Sequence, residues 1–469
     1  MNAQKGVPKK KGYIKSSTLI LLAFATAFFP RILDTLGAPS PVNFAHFAFV
    51  PFACGFALAK SRTKNRNQIL ISKMLLSGIL VLFGVITASA LVNNAGLSNL
   101  ILEFLLLAEP FILLLAIVCI PMSQDIITRF RRWIIGFSLF HIGLALTQKL
   151  LLDLGIMRPP PSMGILPDNV QGVFYLSGSG HVVGASVSIT FGLYYLISAS
   201  NTAIWLRASV FFAAFLQLLS ADAKQVLLVA LVSWVILILV KLKDIGKTLQ
   251  YVTAAIVVGY VLLWCMENVE AFRAFNTWVR PEIYGPEGEA TLLKTAAFRI
   301  IHSYYESSLN WLFGIGPGHT VGRLGGWMLG KYQDLLAPIG VTIHPASEEA
   351  WDAVWASWLG PSSSMFSPLF GWAGIWGDIG FLGLASYLYL WSIVWCRLCF
   401  DDFSRFMILN VLVHGFIFTQ MEEPGYMLFI AVLIGLRWQE KQSIKRLRHF
   451  SIYPVVDSRV DIANTAHHS

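Results

Sequence analysis

Thr291-Leu-Leu-Lys294-Thr-Ala-Ala-Phe-Arg299-Ile-Ile-His302-Ser-Tyr-Tyr-Glu306-Ser-Ser-Leu-Asn310-Trp-Leu-Phe-Gly314-Ile-Gly316-Pro-Gly318 is the centre of a stretch of mixed polarity, about Glu267 to Phe370, set between long apolar runs. Up to Phe313 the apolar residues recur at three- and four-residue steps, which predicts one amphipathic helix that Gly-Ile-Gly-Pro-Gly stops. Thr295, Arg299, His302, Glu306 and Asn310 then share a face. So long a polar segment in so apolar a chain is where chemistry is expected.

The chain is 56% hydrophobic and only 13% charged over 469 residues, outside the range of soluble domains and inside that of polytopic membrane proteins. A membrane helix needs about 20 mainly apolar residues. Twelve such runs stand at roughly 17–36, 42–59, 69–92, 98–120, 133–154, 182–200, 203–221, 224–241, 247–266, 371–396, 403–419 and 424–438. The fold class expected is an all-α integral membrane protein of about twelve transmembrane helices, with a large, partly helical extracytoplasmic loop before the last three. Residues 1–266 would hold nine helices, 267–370 the loop, 371–438 three helices and 439–469 a cytoplasmic tail, polar and disordered after Arg448.

Net charge is +9, and its distribution separates two explanations. Lys5, Lys9, Lys10, Lys11 and Lys15 precede the first run; Lys60, Arg62, Lys64 and Arg66 follow the second, and Arg129, Arg131 and Arg132 the fourth. Lys241, Lys243 and Lys247 follow the eighth, Arg397 and Arg405 the tenth, and Arg437, Lys441, Lys445, Arg446 and Arg448 the last. Basic residues in every second connection are membrane topology rather than a nucleic-acid footprint, so both termini are expected in the cytoplasm. The connections at 37–41, 93–97, 155–181, 267–370 and 420–423 then face the other side. The first run carries Ala25-Thr-Ala27, a possible signal-peptide site, but its apolar pattern continues to Leu36, so an uncleaved helix is expected.

The long loop holds ten acidic and six basic residues. Arg299 is its first candidate for phosphate or carboxylate, because a planar guanidinium binds both in bidentate fashion; the alternative is a surface arginine pairing along its helix. His302 and Glu306, four residues apart, can pair with each other. His344-Pro-Ala-Ser-Glu348-Glu349-Ala-Trp351-Asp352 is the densest ionisable cluster and could supply a general base or be a solvated helix start. Arg323 is a further cation of the loop. Gly314-x-Gly316-x-Gly318 has no preceding strand and no Gly-Lys-Ser/Thr after it, so alone it reads as a helix stop and turn. Metal-ligand spacing and Gly-x-Ser-x-Gly are both missing, and no metal or other cofactor is expected.

Within the apolar runs, Glu103 and Glu109 are ionisable groups at membrane depth and hence functional hypotheses, whereas Lys149 and Asp153 are spaced for a structural helical pair near the outer surface. Ser220-Ala-Asp222-Ala-Lys224 makes a turn so short that Lys224 must sit at the membrane surface, within reach of a lipid phosphate. Asp168, Gln171, Ser179 and His181 gather between the fifth and sixth runs, after the stiff Arg158-Pro-Pro-Pro161. Cys54, Cys119, Cys265, Cys396 and Cys399 fall in or beside apolar runs, and Cys396-x-x-Cys399 reads as two buried small residues rather than a redox pair.

These pieces, from about Asp168 to Leu384, resemble the O-antigen polymerase and O-antigen ligase superfamily of bacterial polysaccharide assembly. Asp168-Asn-Val-Gln-Gly-Val-Phe is similar to that family's outer loop, and Ser220-Ala-Asp-Ala-Lys224 to a turn where the family usually has arginine. Arg299 with Trp311 and Gly314-Ile-Gly316-Pro-Gly318 is similar to its Arg-helix-Gly-x-Gly signature, and Gly377-Asp378-Ile-Gly380 to the helix closing the loop. The His-Asn pair common in the ligases is replaced here by Met365-Phe-Ser367-Pro368, which favours polymerase over ligase. The resemblance implies an inverting, metal-independent transfer of a glycan from an undecaprenyl-pyrophosphate-linked oligosaccharide to an acceptor glycan, on the periplasmic face of the inner membrane. Arg299, Lys224, Arg323, His181, Gln171, Gly316 and Gly318 would bind substrate, and the base would come from His344, Glu348, Glu349, His302 or Glu306. Partners would be the lipid bilayer and chain-length-regulator and export proteins. The rivals are a transporter or flippase, for which Glu103 and Glu109 speak, and a scaffold of an export complex.

Overall fold

The computed structural model describes residues 16–61, 65–158, 167–175, 179–241, 245–270, 272, 276, 280–359 and 371–452. Lys5, Lys9, Lys10, Lys11, Lys15, Arg62, Lys64, Pro161, Lys243, Trp278, the Met365-Phe-Ser367-Pro368 stretch and the tail beyond Ile452 lie outside them, as do the side chains of Lys247, Arg446 and Arg448. Among the described residues all regular structure is helical. The first half comprises α1 (Ser16–Phe28), α2 (Pro30–Thr35), α3 (Ala45–Lys60), α4 (Arg66–Val92), α5 (Leu97–Cys119), α6 (Gln124–Asp153), α7 (Gly180–Ser198), α8 (Ile204–Ser220), α9 (Lys224–Val240) and α10 (Ile245–Asn268). The loop region holds α11 (Pro281–Tyr284), α12 (Glu289–Ser303), α13 (Leu309–Phe313), α14 (Leu329–Lys331), α15 (Gln333–Leu336) and α16 (Pro345–Ala356); α17 (Gly371–Arg397), α18 (Asp402–His414) and α19 (Pro424–Ile452) follow.

Among the described residues seven helical segments are long and apolar enough to cross a membrane: Ser40–Lys60, α4, α5, α6, α7, Leu249–Asn268 and α17. Of the other expected runs, α1, α8 and α9 are apolar but of only 13, 17 and 17 residues. The first run is cut because Pro30 begins a new helix at α2. α18 has 13 residues.

The connections sort onto two ends of the bundle. At one end Arg131 pairs with Glu440, Arg437 with Asp401 and Lys241 with Asp402, while Gln439 donates to the carbonyls of Ile117 and Ile120. At the other, the turn between α4 and α5 is tied to the loop: Asn99 Nδ2 donates to the carbonyls of Pro317 (3.0 Å) and Thr342 (2.9 Å), and Gly96 N–H to Thr342 Oγ1. Lys294 Nζ on α12 donates to Ile417 O beyond α18. The alternation of basic connections therefore corresponds to two physical ends, here called the basic end and the loop end.

α5 and α7 are the most enclosed spans. Around α5, Phe111, Leu114, Ile117, Tyr387, Trp391 and the α19 stretch Tyr426–Ile430 form the main core. The loop region does not simply lie over this core. Leu324–Met328, wound as a π-helical turn, packs with Tyr332 and Leu336 against Leu106 of α5, so this piece of the loop enters the bundle.

The predicted helix through Phe313 is two helices. α12 stops at Ser303, and α13 restarts after Asn310 Oδ1 accepts the N–H groups of Glu306 and Ser307. A polar side chain that satisfies backbone N–H groups out of helical register ends the helix early. Arg299 and His302 are therefore on a different helix from Asn310.

α17 is also broken, at Gly380, whose φ of 66° and ψ of −166° are non-helical. The break leaves the carbonyls of Gly377 and Asp378 without helical donors, and they accept from Ile315 N–H (2.8 Å) and Gly316 N–H (3.1 Å). Ser89 Oγ lies 2.8 Å from Asp378 O and 2.6 Å from Phe313 O. A Cβ on Gly380 would stand 2.3 Å from Leu312 C and O, and one on Gly314 (φ 69°) 2.3 Å from Gly377 O. Gly380→Ala is expected to lower the unfolding free energy in detergent by at least about 1–3 kcal/mol, the usual cost of such strain. Gly55→Ala, where a Cβ meets nothing within 4 Å, is the matched control and should be neutral or slightly stabilising.

Candidate functional site

The residues after the Gly-rich turn lie on the broken helix. Asp378 Oδ1 accepts the N–H groups of His319 (3.0 Å) and Thr320 (2.8 Å), and Glu422 Oε2 accepts that of Arg323 (2.5 Å). A Cβ on Gly322 would touch both carboxylates, at 3.3 Å from Asp378 Oδ2 and 3.2 Å from Glu422 Oε2, so glycine lets the backbone pass between them. Glu103 of α5 feels both acids electrostatically. Glu103 Oε2, Asp378 Oδ2 and Glu422 Oε1 are buried with no hydrogen-bond partner among the described residues. Burial, reinforced by Asp378 and opposed by the Arg323 N–H, pushes the Glu422 carboxyl up to about 8. Among the described residues no group of three His, Cys, Asp or Glu side chains is placed to hold a metal ion.

Arg323 is itself buried. Its guanidinium pairs with Glu423 and lies over the Trp327 ring, 4.8 Å from the centroid. Both residues line a cleft with Arg31, Asn43, Phe44, His46, Tyr332 and the turn at Glu423–Gly425. Arg31 pairs with Asp34 at 3.5 Å, and Asn43 Nδ2 donates to Asp34. Lys331 adds an ammonium 5.7 Å from the Trp327 and Tyr332 rings; burial and then Arg31 push its pKa down, as does Arg323, with Asp34 opposing. Deeper in the cleft His46 Nδ1 lies 2.8 and 3.0 Å from the two oxygens of Glu109. Arg31 and Arg323 thus line the cleft against Asp34 and Glu423, and Lys331 stands beside it across the Trp327 and Tyr332 rings. The free space, about 40 Å³, admits a few water-sized groups.

A second polar group lies where α7 begins. His181 Nε2 is 3.7 Å from Asp168 Oδ1, Gln171 Nε2 donates to Asp168 O at 2.6 Å, and Lys224 pairs with Asp222 at 2.5 Å. Burial raises the Asp168 carboxyl, with His181 opposing and Asp222 reinforcing. A cavity of about 400 Å³ beside it is lined by Pro167, Ser220 and the Lys149–Asp153 pair. Here every lysine is matched by its own aspartate.

The expected site residues are divided among separate places. Arg299 is exposed, and its guanidinium is spent on its own helix, on Thr295 Oγ1 (2.7 Å) and Leu292 O (3.1 Å). His302 packs on Tyr305 and Trp311. His344 caps α16, its Nδ1 accepting Ala346 N–H, stacks on His319 and meets the Tyr304 ring edge-on; burial lowers its pKa and Glu306 opposes. Glu348 and Glu349 are exposed, and Glu349 accepts from Tyr304 OH. Gly316 and Gly318 do not form an open cradle, because the Gly316 N–H goes to Asp378 O and a Cβ on Gly318 would meet Leu324 at 2.7 Å. Of the proposed binders, Arg323 alone reaches the aromatic cleft; His181, Gln171 and Lys224 share the second group.

Arg31, His46, Lys294, Glu422 and Glu423 escaped the sequence reading. Arg31 and His46 are charged or titratable residues inside runs 17–36 and 42–59, and Glu422-Glu423-Pro424 is an acidic pair opening an apolar run. Those were the available signals. Lys294, half-buried with its ammonium end enclosed near Phe418, is pushed by burial down to about 7.

No protein-family model matches this chain, and no curated protein matches it.

Glu422 generates a test by linkage. Its folded pKa lies above that of an unfolded glutamate, so its contribution is most favourable below the unfolded value and is lost as pH rises toward about 8. Glu422→Gln keeps an acceptor for Arg323 N–H but binds no proton. Between pH 5 and 7 the wild type should lose stability with rising pH more steeply than Glu422→Gln, by up to about 1.4 kcal/mol per pH unit, in detergent unfolding titrations.

Proposed function

We propose that the chain is a membrane glycosyltransferase of about twelve crossings that transfers a glycan from a polyprenyl-pyrophosphate donor to an acceptor glycan. Its loop end faces the bacterial periplasm and its basic end the cytoplasm, in accord with the positive-inside tendency. The single observation that carries the proposal is the gathering of Arg31, Arg323 and Lys331 around Trp327 and Tyr332 at the loop end. Pyrophosphate is a good leaving group that needs its developing charge stabilised more than it needs a proton, and preorganised cations supply that. Indole and phenol faces suit a sugar ring beside them. The small free volume fits a phosphate group pressed among these side chains, with glycan and lipid extending outside.

The headgroup site is thereby assigned to Arg31 and Arg323 rather than to Arg299 and Lys224. Arg299 is exposed and bonded within its own helix, and Lys224 does not line the aromatic cleft but pairs with Asp222 in the second polar group. Transport of a lipid-linked glycan or ion is the second reading. It is favoured by the discontinuous α17 and the three buried acids beside it, a pattern found where transporters bind their cargo.

Purified protein should extend a lipid-linked oligosaccharide without ATP or added metal. Arg31→Ala should lower that rate by about 10²-fold, whereas Arg299→Ala should stay within about twofold, since an exposed intrahelical contact contributes little. The reverse ranking would return the headgroup site to α12. Movement of substrate across sealed vesicles with no glycan transfer would favour transport.

A further inference from the structure

Resting on the glycosyltransferase reading, we propose that His46 is the general base of the transfer and that Glu109 is the residue that positions it. His46 stands in the first turn of α3 and lines the cleft that also holds Arg31 and Arg323. Both residues are buried, with side-chain exposures of 5% and 1%. Glu109 meets the ring through Nδ1 only, with both carboxylate oxygens within 3.0 Å. No hydrogen bond is made through Nε2 among the described residues, and His46 is one of the residues that line the cleft.

A carboxylate on Nδ1 fixes the tautomer with the proton on that nitrogen, leaves the Nε2 lone pair free, and stabilises the imidazolium once Nε2 gains a proton. A lone buried histidine would lack this last property. Phe47 packs on the ring at 4.2 Å between centroids and restricts its rotation. Leu106 of α5 carries the re-entrant turn Leu324–Met328, so the polar wall of the cleft reaches below the helix ends toward Glu109, three residues further along the same helix. The ionisable groups around the cleft are Arg31 with Asp34, Arg323 with Glu423, Lys331 and Tyr332, and Cys54 of α3 lies within the electrostatic reach of Glu109. Among them only His46 pairs a free basic nitrogen with a carboxylate behind it.

In the step proposed, the acceptor hydroxyl gives its proton to His46 Nε2 as its oxygen bonds to the anomeric carbon of the donor. The bond from that carbon to the pyrophosphate oxygen breaks, and the electron pair leaves with polyprenyl pyrophosphate against Arg31 and Arg323. The imidazolium then returns its proton to water.

The test uses the full chain in proteoliposomes, a polyprenyl-pyrophosphate oligosaccharide as donor, and undecaprenyl pyrophosphate as a binding probe. His46→Asn puts an amide N–H where Nδ1 was and removes Nε2. It should lower kcat by about 10²–10⁴-fold while donor KM and probe affinity stay within about threefold. Glu109→Gln should lower kcat by about tenfold or more at unchanged KM, with part of the loss restored in Glu109→Asp. Wild-type turnover with His46→Asn within tenfold of it would overturn the dyad and leave the transferase reading standing. No turnover and no probe binding by the wild type would overturn that reading and the dyad with it. Should His46→Asn fail to fold, His46→Gly with added imidazole decides: regained turnover supports the base, and none overturns it.

Discussion

The carbonyls of Gly377 and Asp378 must be satisfied, and the rest of the loop end follows from that need. An interrupted helix inside an apolar bundle exposes backbone groups that no water reaches, and each would cost several kcal/mol if left alone. The chain answers with another part of itself, the backbone of Ile315 and Gly316. Only glycine can make the approach, since any side chain on Gly314 or Gly380 would collide with the facing backbone. The Gly-x-Gly-x-Gly turn is thus a structural clasp, and it sets the course of the chain from His319 to Arg323.

Beyond the clasp the same economy governs charge. Arg323 is carried into the bundle on backbone held by Asp378 and Glu422, and its side chain meets Glu423 and Trp327. A guanidinium held against Glu423 and the Trp327 ring loses little freedom when it meets an anion, whereas the exposed Arg299 would have to give up its intrahelical contacts. Glu422, buried and held by the Arg323 N–H at one oxygen only, resists its own ionisation.

Much of the architecture is legible in the chain itself. Apolar runs of membrane length, with basic residues in alternate connections, foretell an all-helical bundle with two chemically distinct ends, and the contacts Arg131–Glu440, Arg437–Asp401 and Lys241–Asp402 occur at one of them. Length was less legible, because Pro30 and a 13-residue α18 divide or shorten runs that look continuous in composition. The candidate site was legible only in part. Arg323 was visible as a loop cation, but a list of loop charges ranks it no higher than Arg299. Their difference is that one guanidinium finds its own helix and the other a buried glutamate a hundred residues away.

The sequence by itself determined the class of protein, the two ends and the polar segment between α10 and α17, because hydrophobic burial and charge placement are read along the chain over a few turns. Only the tertiary structure decided which polar residues meet. Arg31, His46, Glu109, Arg323 and Glu423 come from five separate segments. Their meeting depends on long-range packing around α5 and on a helix break whose vacant carbonyls draw the loop inward, and neither leaves a local signature.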